Sequence, residues 1–137
     1  EKGIKSDTDV PDTLRSPDFK IIGEKRGVNI VVASMFSLGF NGGTQHADIC
    51  TQAVKYGLKL CPAELGPQLR LQYKDQPLND WINVMINPIN SSEGYQFIFS
   101  VYRDSDGLWL GVNGGEPNRM WNPGCNFTFL RPHKKEA

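Results

Sequence analysis

Residues 81–87 read Trp81-Ile82-Asn83-Val84-Met85-Ile86-Asn87, and residues 95–102 read Tyr95-Gln96-Phe97-Ile98-Phe99-Ser100-Val101-Tyr102. Side chains alternate between the two faces of a strand, so positions two apart share a face. One set, Ile82, Val84, Ile86, Tyr95, Phe97, Phe99 and Val101, is plainly apolar and belongs in a core; Leu108, Leu110 and Val112 continue it. The other set holds Trp81, Asn83, Met85, Asn87, Gln96, Ile98, Ser100 and Tyr102, joined further on by Trp109. A plain solvent face carries Lys, Glu and Thr. A face of rings and amides is either covered by the chain or used to bind something.

The connections around these strands carry turn chemistry: Lys74-Asp-Gln-Pro77, Ser91-Ser-Glu-Gly94, Asp104-Ser-Asp-Gly107 and Asn122-Pro-Gly124. They bound expected strands at Leu69–Tyr73, Trp81–Asn87, Tyr95–Arg103, Leu108–Val112 and Phe127–Leu130. Such short links favour antiparallel neighbours, hence a meander. Upstream, Phe19–Gly23 and Val28–Met35 flank Glu24-Lys-Arg-Gly27 and read as a hairpin. Its second arm lacks alternation, which predicts a central strand covered on both faces. Between hairpin and meander the period changes to 3.6. Ala47, Ile49, Cys50, Ala53, Val54, Tyr56, Leu58 and Leu60 share one broad arc, predicting a helix over about 44–59 with Thr44 as cap. Cys61-Pro62 resembles a second helix start that Gly66-Pro67 stops after one turn.

The expected fold is α+β: an N-terminal hairpin, then one main helix packed on an antiparallel meander that can stay open or curl into a partial barrel. Residues 1–17 read as a flexible lead-in, 18–132 as a single domain and 133–137 as a frayed tail.

Composition narrows the partners. The 137 residues carry 15 Lys+Arg and 15 Asp+Glu. This balance argues against nucleic acid, whose binders usually show a basic excess, and against an anionic membrane surface. Three cysteines, Cys50, Cys61 and Cys125, form no C-x-x-C pair, and an odd count leaves at least one thiol unpaired. Asn90-Ser-Ser92 and Asn126-Phe-Thr128 match the N-glycosylation pattern, which arises easily in a chain this rich in Asn.

No catalytic or cofactor signature stands out. Gly42, Gly43 and Thr44 precede the helix, where free N–H groups can hold an anion, but the P-loop and Rossmann spacings are absent. His46 and Cys50 lie four apart on one helix face, yet two ligands do not make a zinc site. Cys61, before Pro62 at a helix start, is the better placed thiol, although no base is near in sequence. Asp104-Ser-Asp106-Gly107 lacks the rest of a calcium loop.

The reading that remains is a non-catalytic binding domain, without cofactor or metal, for a sugar, a peptide or a partner protein. Its expected contacts are Trp81, Asn83, Gln96, Tyr102, Trp109, and Arg119 and Trp121 on the 114–121 loop. The alternatives are a small hydrolase using Cys61 or His46, and an inhibitor or accessory subunit.

Overall fold

The computed structural model describes residues 4–19, 28–122 and 124–131. In chain order they form β1 (Ile4–Ser6), α1 (Val10–Leu14), β2 (Asn29–Ser34), β3 (Thr44–Gln45), α2 (His46–Lys55), α3 (Leu65–Gln72), β4 (Trp81–Asn90), β5 (Gln96–Asp104), β6 (Gly107–Gly114), β7 (Met120–Trp121) and β8 (Asn126–Arg131). The architecture is α+β and mostly sheet, about 40% strand against 19% helix among the described residues.

Six strands make one mixed sheet in the order β1-β6-β5-β4-β8-β2, while β3 and β7 form a separate two-stranded ribbon. The antiparallel meander β4-β5-β6 is present as the alternation requires. Around it the sheet departs from a meander, because β1 runs parallel to β6 and β8 runs parallel to β4. The sheet does not curl into a barrel: β1 and β2 end the strand order at opposite edges, with no ladder joining them among the described residues.

Four expectations change. First, the polar segment before residue 17 is not only a lead-in. Ile4–Ser6 pairs in register with Leu108–Leu110, and Val10 and Thr13 are buried. Second, β2 is not covered on both faces. It pairs with β8 alone among the described residues, and Val32 is 51% exposed. The other arm of the expected hairpin, residues 20–23, and its turn lie outside the described residues, as does the tail after Arg131.

Third, the main helix is shorter than 44–59. Thr44 and Gln45 are held as strand by Trp121 and Met120, so α2 begins at His46. Thr44 Oγ1 donates to the Gly42 carbonyl at 2.9 Å and caps nothing. At the far end Gly57 takes φ +83°, the left-handed turn that glycine allows, and the chain leaves the helix. Beyond it, Lys59 bridges Leu130 and Cys61 bridges Ile86. This segment fills the gap where β4 and β8 diverge past Val84 and Thr128, next to a register shift in β4.

Fourth, residues 69–73 are not a strand. Gly66-Pro67 lies inside the first turn of α3 instead of stopping it. First-turn N–H groups have no intrahelical acceptor, so Pro67 forfeits no bond there. α3 lies against β5 and β6, and it comes so close that a Cβ on Gly66 would stand 2.6 Å from Phe99 Cδ2.

The two sheet faces follow from the register. Phe99 sits opposite Val84, so the apolar set faces α3 and forms the main core with Val101 and Leu110. Tyr102, Ser100 and Ile98 point to the other face, together with Trp81 and Asn83. That second face is divided. At one end the loop after β6 packs down on it, placing Gly115 against Ile98 and Pro88. At the other end lie Trp81, Tyr102 and Trp109.

Candidate functional site

Trp81 is paired with Tyr102 across β4 and β5, and Tyr102 with Trp109 across β5 and β6. Lys5 of β1 is in turn opposite Trp109. Four neighbouring strands therefore contribute one row. Strands lie about 4.8 Å apart, which suits ring stacking. The Trp81 and Tyr102 centroids are 3.7 Å apart with planes 5° from parallel. Tyr102 and Trp109 are 5.8 Å apart and 3° from parallel. The Lys5 ammonium lies 6.0 Å from the Trp109 centroid.

This geometry has a chemical consequence. The rings stack along the row, so their planes stand up from the sheet and they occupy one another's faces. They do not form a flat platform on which a sugar could lie across all three. Of the three rings of the row, Trp81 is the exposed one, at 46%, and Tyr102 covers one of its faces.

Two carboxylates fix the row. Tyr102 donates its hydroxyl to Asp7 Oδ1 at 2.6 Å, and Trp109 donates Nε1–H to Asp104 Oδ1 at 2.8 Å. Burial pushes the Tyr102 phenol up from its usual pKa, with the Asp7 bond adding to the effect. The Trp109 bond holds the Asp104 carboxyl below its usual range. Asp7 also accepts from the Val112 amide at 3.3 Å, over Gly111, whose missing side chain leaves room for the Asp7 carboxylate and the Tyr102 ring.

Behind the row, on the helical side, Arg70 of α3 is fully buried. Its Nη1 donates to Gln76 Oε1 at 2.7 Å and to the carbonyls of Tyr102 and Trp109 at 3.1 and 3.2 Å, and Nη2 donates to the Tyr73 carbonyl. Gln76 passes the network to Asp80 Oδ2 at 2.9 Å. Burial lowers the Arg70 pKa from its ordinary value.

The expected contact residues separate into groups. Trp81, Tyr102 and Trp109 are brought together. Asn83 is buried, donating to the Asn126 carbonyl at 3.3 Å and accepting from Asn113 Nδ2 at 2.9 Å, so its amide ties β4, β6 and β8 together. Gln96 is half-buried, its backbone linked to Glu116 and Gly115 of the covering loop. Trp121 is 3% exposed. It meets Phe127 edge-to-face at 5.1 Å and donates to His46 Nδ1 at 3.1 Å. Arg119 lies over the same indole at 4.1 Å. This second cluster is an interior support around the buried Trp121.

The helix-start candidates are already engaged. The His46 amide donates to the Arg119 carbonyl at 2.7 Å and the Ala47 amide to the Pro117 carbonyl at 2.9 Å. Two N–H groups that an anion near Gly42, Gly43 and Thr44 would use are thus spent on the loop. Burial, aided by Arg119, holds His46 below its usual pKa. Cys61 is not at a helix N-terminus, since α3 begins at Leu65. It is buried, pushed up to about 12, and its thiol lies 3.4 Å from the Thr128 carbonyl. No group of three His, Cys, Asp or Glu able to hold a metal occurs among the described residues.

Sequence reasoning missed Lys5, Asp7, Asp104 and Arg70 as parts of this site. Asp7 lay in a stretch read as lead-in and Asp104 in a stretch read as hairpin turn. Arg70 offered one signal: a lone cation among apolar residues of a short segment.

Comparisons with protein-family models, curated proteins and solved structures give no match.

Proposed function

We propose that this chain is a non-catalytic binding domain whose contact point is the open end of the aromatic row, at Trp81, and whose ligand is a sugar, a peptide or a partner protein. The observation that carries this reading is an indole 46% exposed yet held in one orientation by stacking on Tyr102. A ring fixed in advance loses little freedom when a ligand settles on it, so more of the contact energy appears as affinity. Exposed aromatic groups of this kind are typical anchors of interfaces.

Against a hydrolase, the two candidate groups are occupied in ways that suit structure. His46 accepts the Trp121 indole hydrogen, and the Cys61 thiol is buried with its pKa raised. A catalytic thiol needs the opposite setting, exposed and electropositive.

The test is a titration of the three indole N–H resonances with a panel of neutral sugars and short peptides, using nitrogen-15 labelled protein. A saturable shift of the Trp81 resonance that disappears in Trp81→Ala supports the proposal. A ligand that shifts only Trp121, or a panel that leaves Trp81 unmoved, overturns it.

A further inference from the structure

Trp81 is one of three tryptophans in the chain, and the other two each have a cation over the ring. Lys5 stands over Trp109 at 6.0 Å, at the outer limit of such contacts, and Arg119 stands over Trp121 at 4.1 Å. Among the described residues no cation lies over Trp81, and its indole N–H has no protein acceptor. The row is therefore closed by an ammonium at its Trp109 end and open at its Trp81 end. We infer that the open face of Trp81 is a subsite for an organic cation, the guanidinium of an arginine side chain on a peptide partner. The inference rests on the binding reading above and names the chemistry that reading leaves open.

An aromatic face carries the negative lobe of the ring quadrupole, and indole is the strongest of the three side chains in this respect. A guanidinium is planar and weakly hydrated, so it can lie flat on the ring at a smaller desolvation cost than an ammonium. The fixed charges near the row favour the same sign. On the row's own face, Asp7 and Asp104 supply two carboxylates against the single ammonium of Lys5. The two guanidinium groups nearby are turned to the helical side: Arg70 is buried there, and Arg103 donates to the Gln76 carbonyl at 2.9 Å. A neutral sugar would use the same open face but gain nothing from the carboxylates.

One ring face supplies a modest increment, so the effect is read as a ratio between matched probes. The probes are acetyl-Gly-Arg-Gly-amide, its citrulline counterpart, which keeps the plane and loses the charge, and methyl β-glucoside. The readout is the Trp81 indole resonance of the whole chain. The expected result is a saturable shift with the arginine peptide, an apparent Kd about two- to fivefold weaker with citrulline, and loss of the shift in Trp81→Leu. Folding of that variant is checked by unchanged resonances of Trp109 and Trp121. Equal binding of the arginine and citrulline peptides overturns the cation inference and leaves the binding domain standing, as does tighter binding of the glucoside. If none of the probes moves Trp81, the cation inference falls, and the wider sugar and peptide panel then decides the binding reading separately.

Discussion

Trp81 rests on Tyr102 with ring centroids 3.7 Å apart, and the stack leaves half of the indole in solvent. Trp121 has the contrary placement, enclosed by Phe127 and bonded to His46. The two tryptophans should respond very differently to truncation. Trp81→Ala loses one stacking contact and the burial of the covered half of the side chain, which together correspond to about 1.5–3 kcal/mol. Trp121→Ala empties a buried site and removes an indole donor, a change on the order of 3–5 kcal/mol. Urea unfolding at constant m-value measures both. Equal losses would show that Trp81 is core and not contact surface.

Gly66 tests the contact between α3 and the sheet. A methyl group there would stand 2.6–2.7 Å from three atoms of the Phe99 side chain. Helix propensity alone favours alanine by up to about 1 kcal/mol. Overpacking opposes it by about 1–3 kcal/mol, because Phe99 is fully buried and cannot swing away. Gly66→Ala is therefore expected to destabilise, and Phe99→Ala in the same chain, which removes Cδ2 and Cγ and leaves only Cβ, should lessen the added loss. A double-mutant cycle reads the coupling; its absence would mean that α3 does not approach β5 as described.

The strands β4, β5 and β6 were legible because alternation over eight to ten residues leaves few other readings. Their turns were legible from turn residues, Ser91-Ser-Glu-Gly94 and Asp104-Ser-Asp-Gly107. Alternation also put Trp81, Tyr102 and Trp109 on one face. It could not show that the rings stand upright in a single row, since that depends on cross-strand register. β1 escaped notice because Ile4-Lys5-Ser6 is too short and polar to show a period, and its partner is 104 residues away at the Ile4–Leu108 pair. α3 was misread because Gly-Pro marks a stop in mid-helix but is harmless in a first turn. The covering of Ile98 by the loop near Gly115 rests on tertiary closure, which no local pattern encodes. That closure explains why apolar residues such as Ile98 share a face with an exposed indole.

His46 makes the fold sensitive to mild acid. Burial first, then Arg119, keeps its imidazole below the usual 6.5, with Glu116 acting in the opposite sense. Above pH 6.5 the residue is neutral both folded and unfolded. As pH falls below 6.5 the unfolded chain takes up a proton that the folded chain refuses, so stability is lost until the lower folded pKa is passed. Protonation would also place a hydrogen on Nδ1, which accepts from Trp121 Nε1. The urea midpoint should drop between pH 7.5 and 5.5, with a change in Trp121 emission. His46→Asn, which retains an acceptor and does not titrate, should flatten that slope. Asp12 and Asp104, whose carboxyls are held below their usual range, act only at lower pH.

Cys61 decides between a structural thiol and a reactive one. It sits in the bridge that closes the gap between β4 and β8, where its amide donates to the Met85 carbonyl at 2.7 Å and its thiol lies 3.4 Å from the Thr128 carbonyl. With the pKa pushed up to about 12, the thiolate fraction at pH 8 is on the order of one in ten thousand. Alkylation also needs access, and Cys61 has almost none. Labelling with iodoacetamide at pH 8, followed by peptide mass analysis, should modify the half-buried Cys50 and Cys125 first. Cys61 should react only as the bridge opens, at a rate that rises with urea in step with unfolding. Rapid, selective labelling of Cys61 in native protein would contradict both its burial and its acidity, and would restore the hydrolase reading with Cys61 as nucleophile.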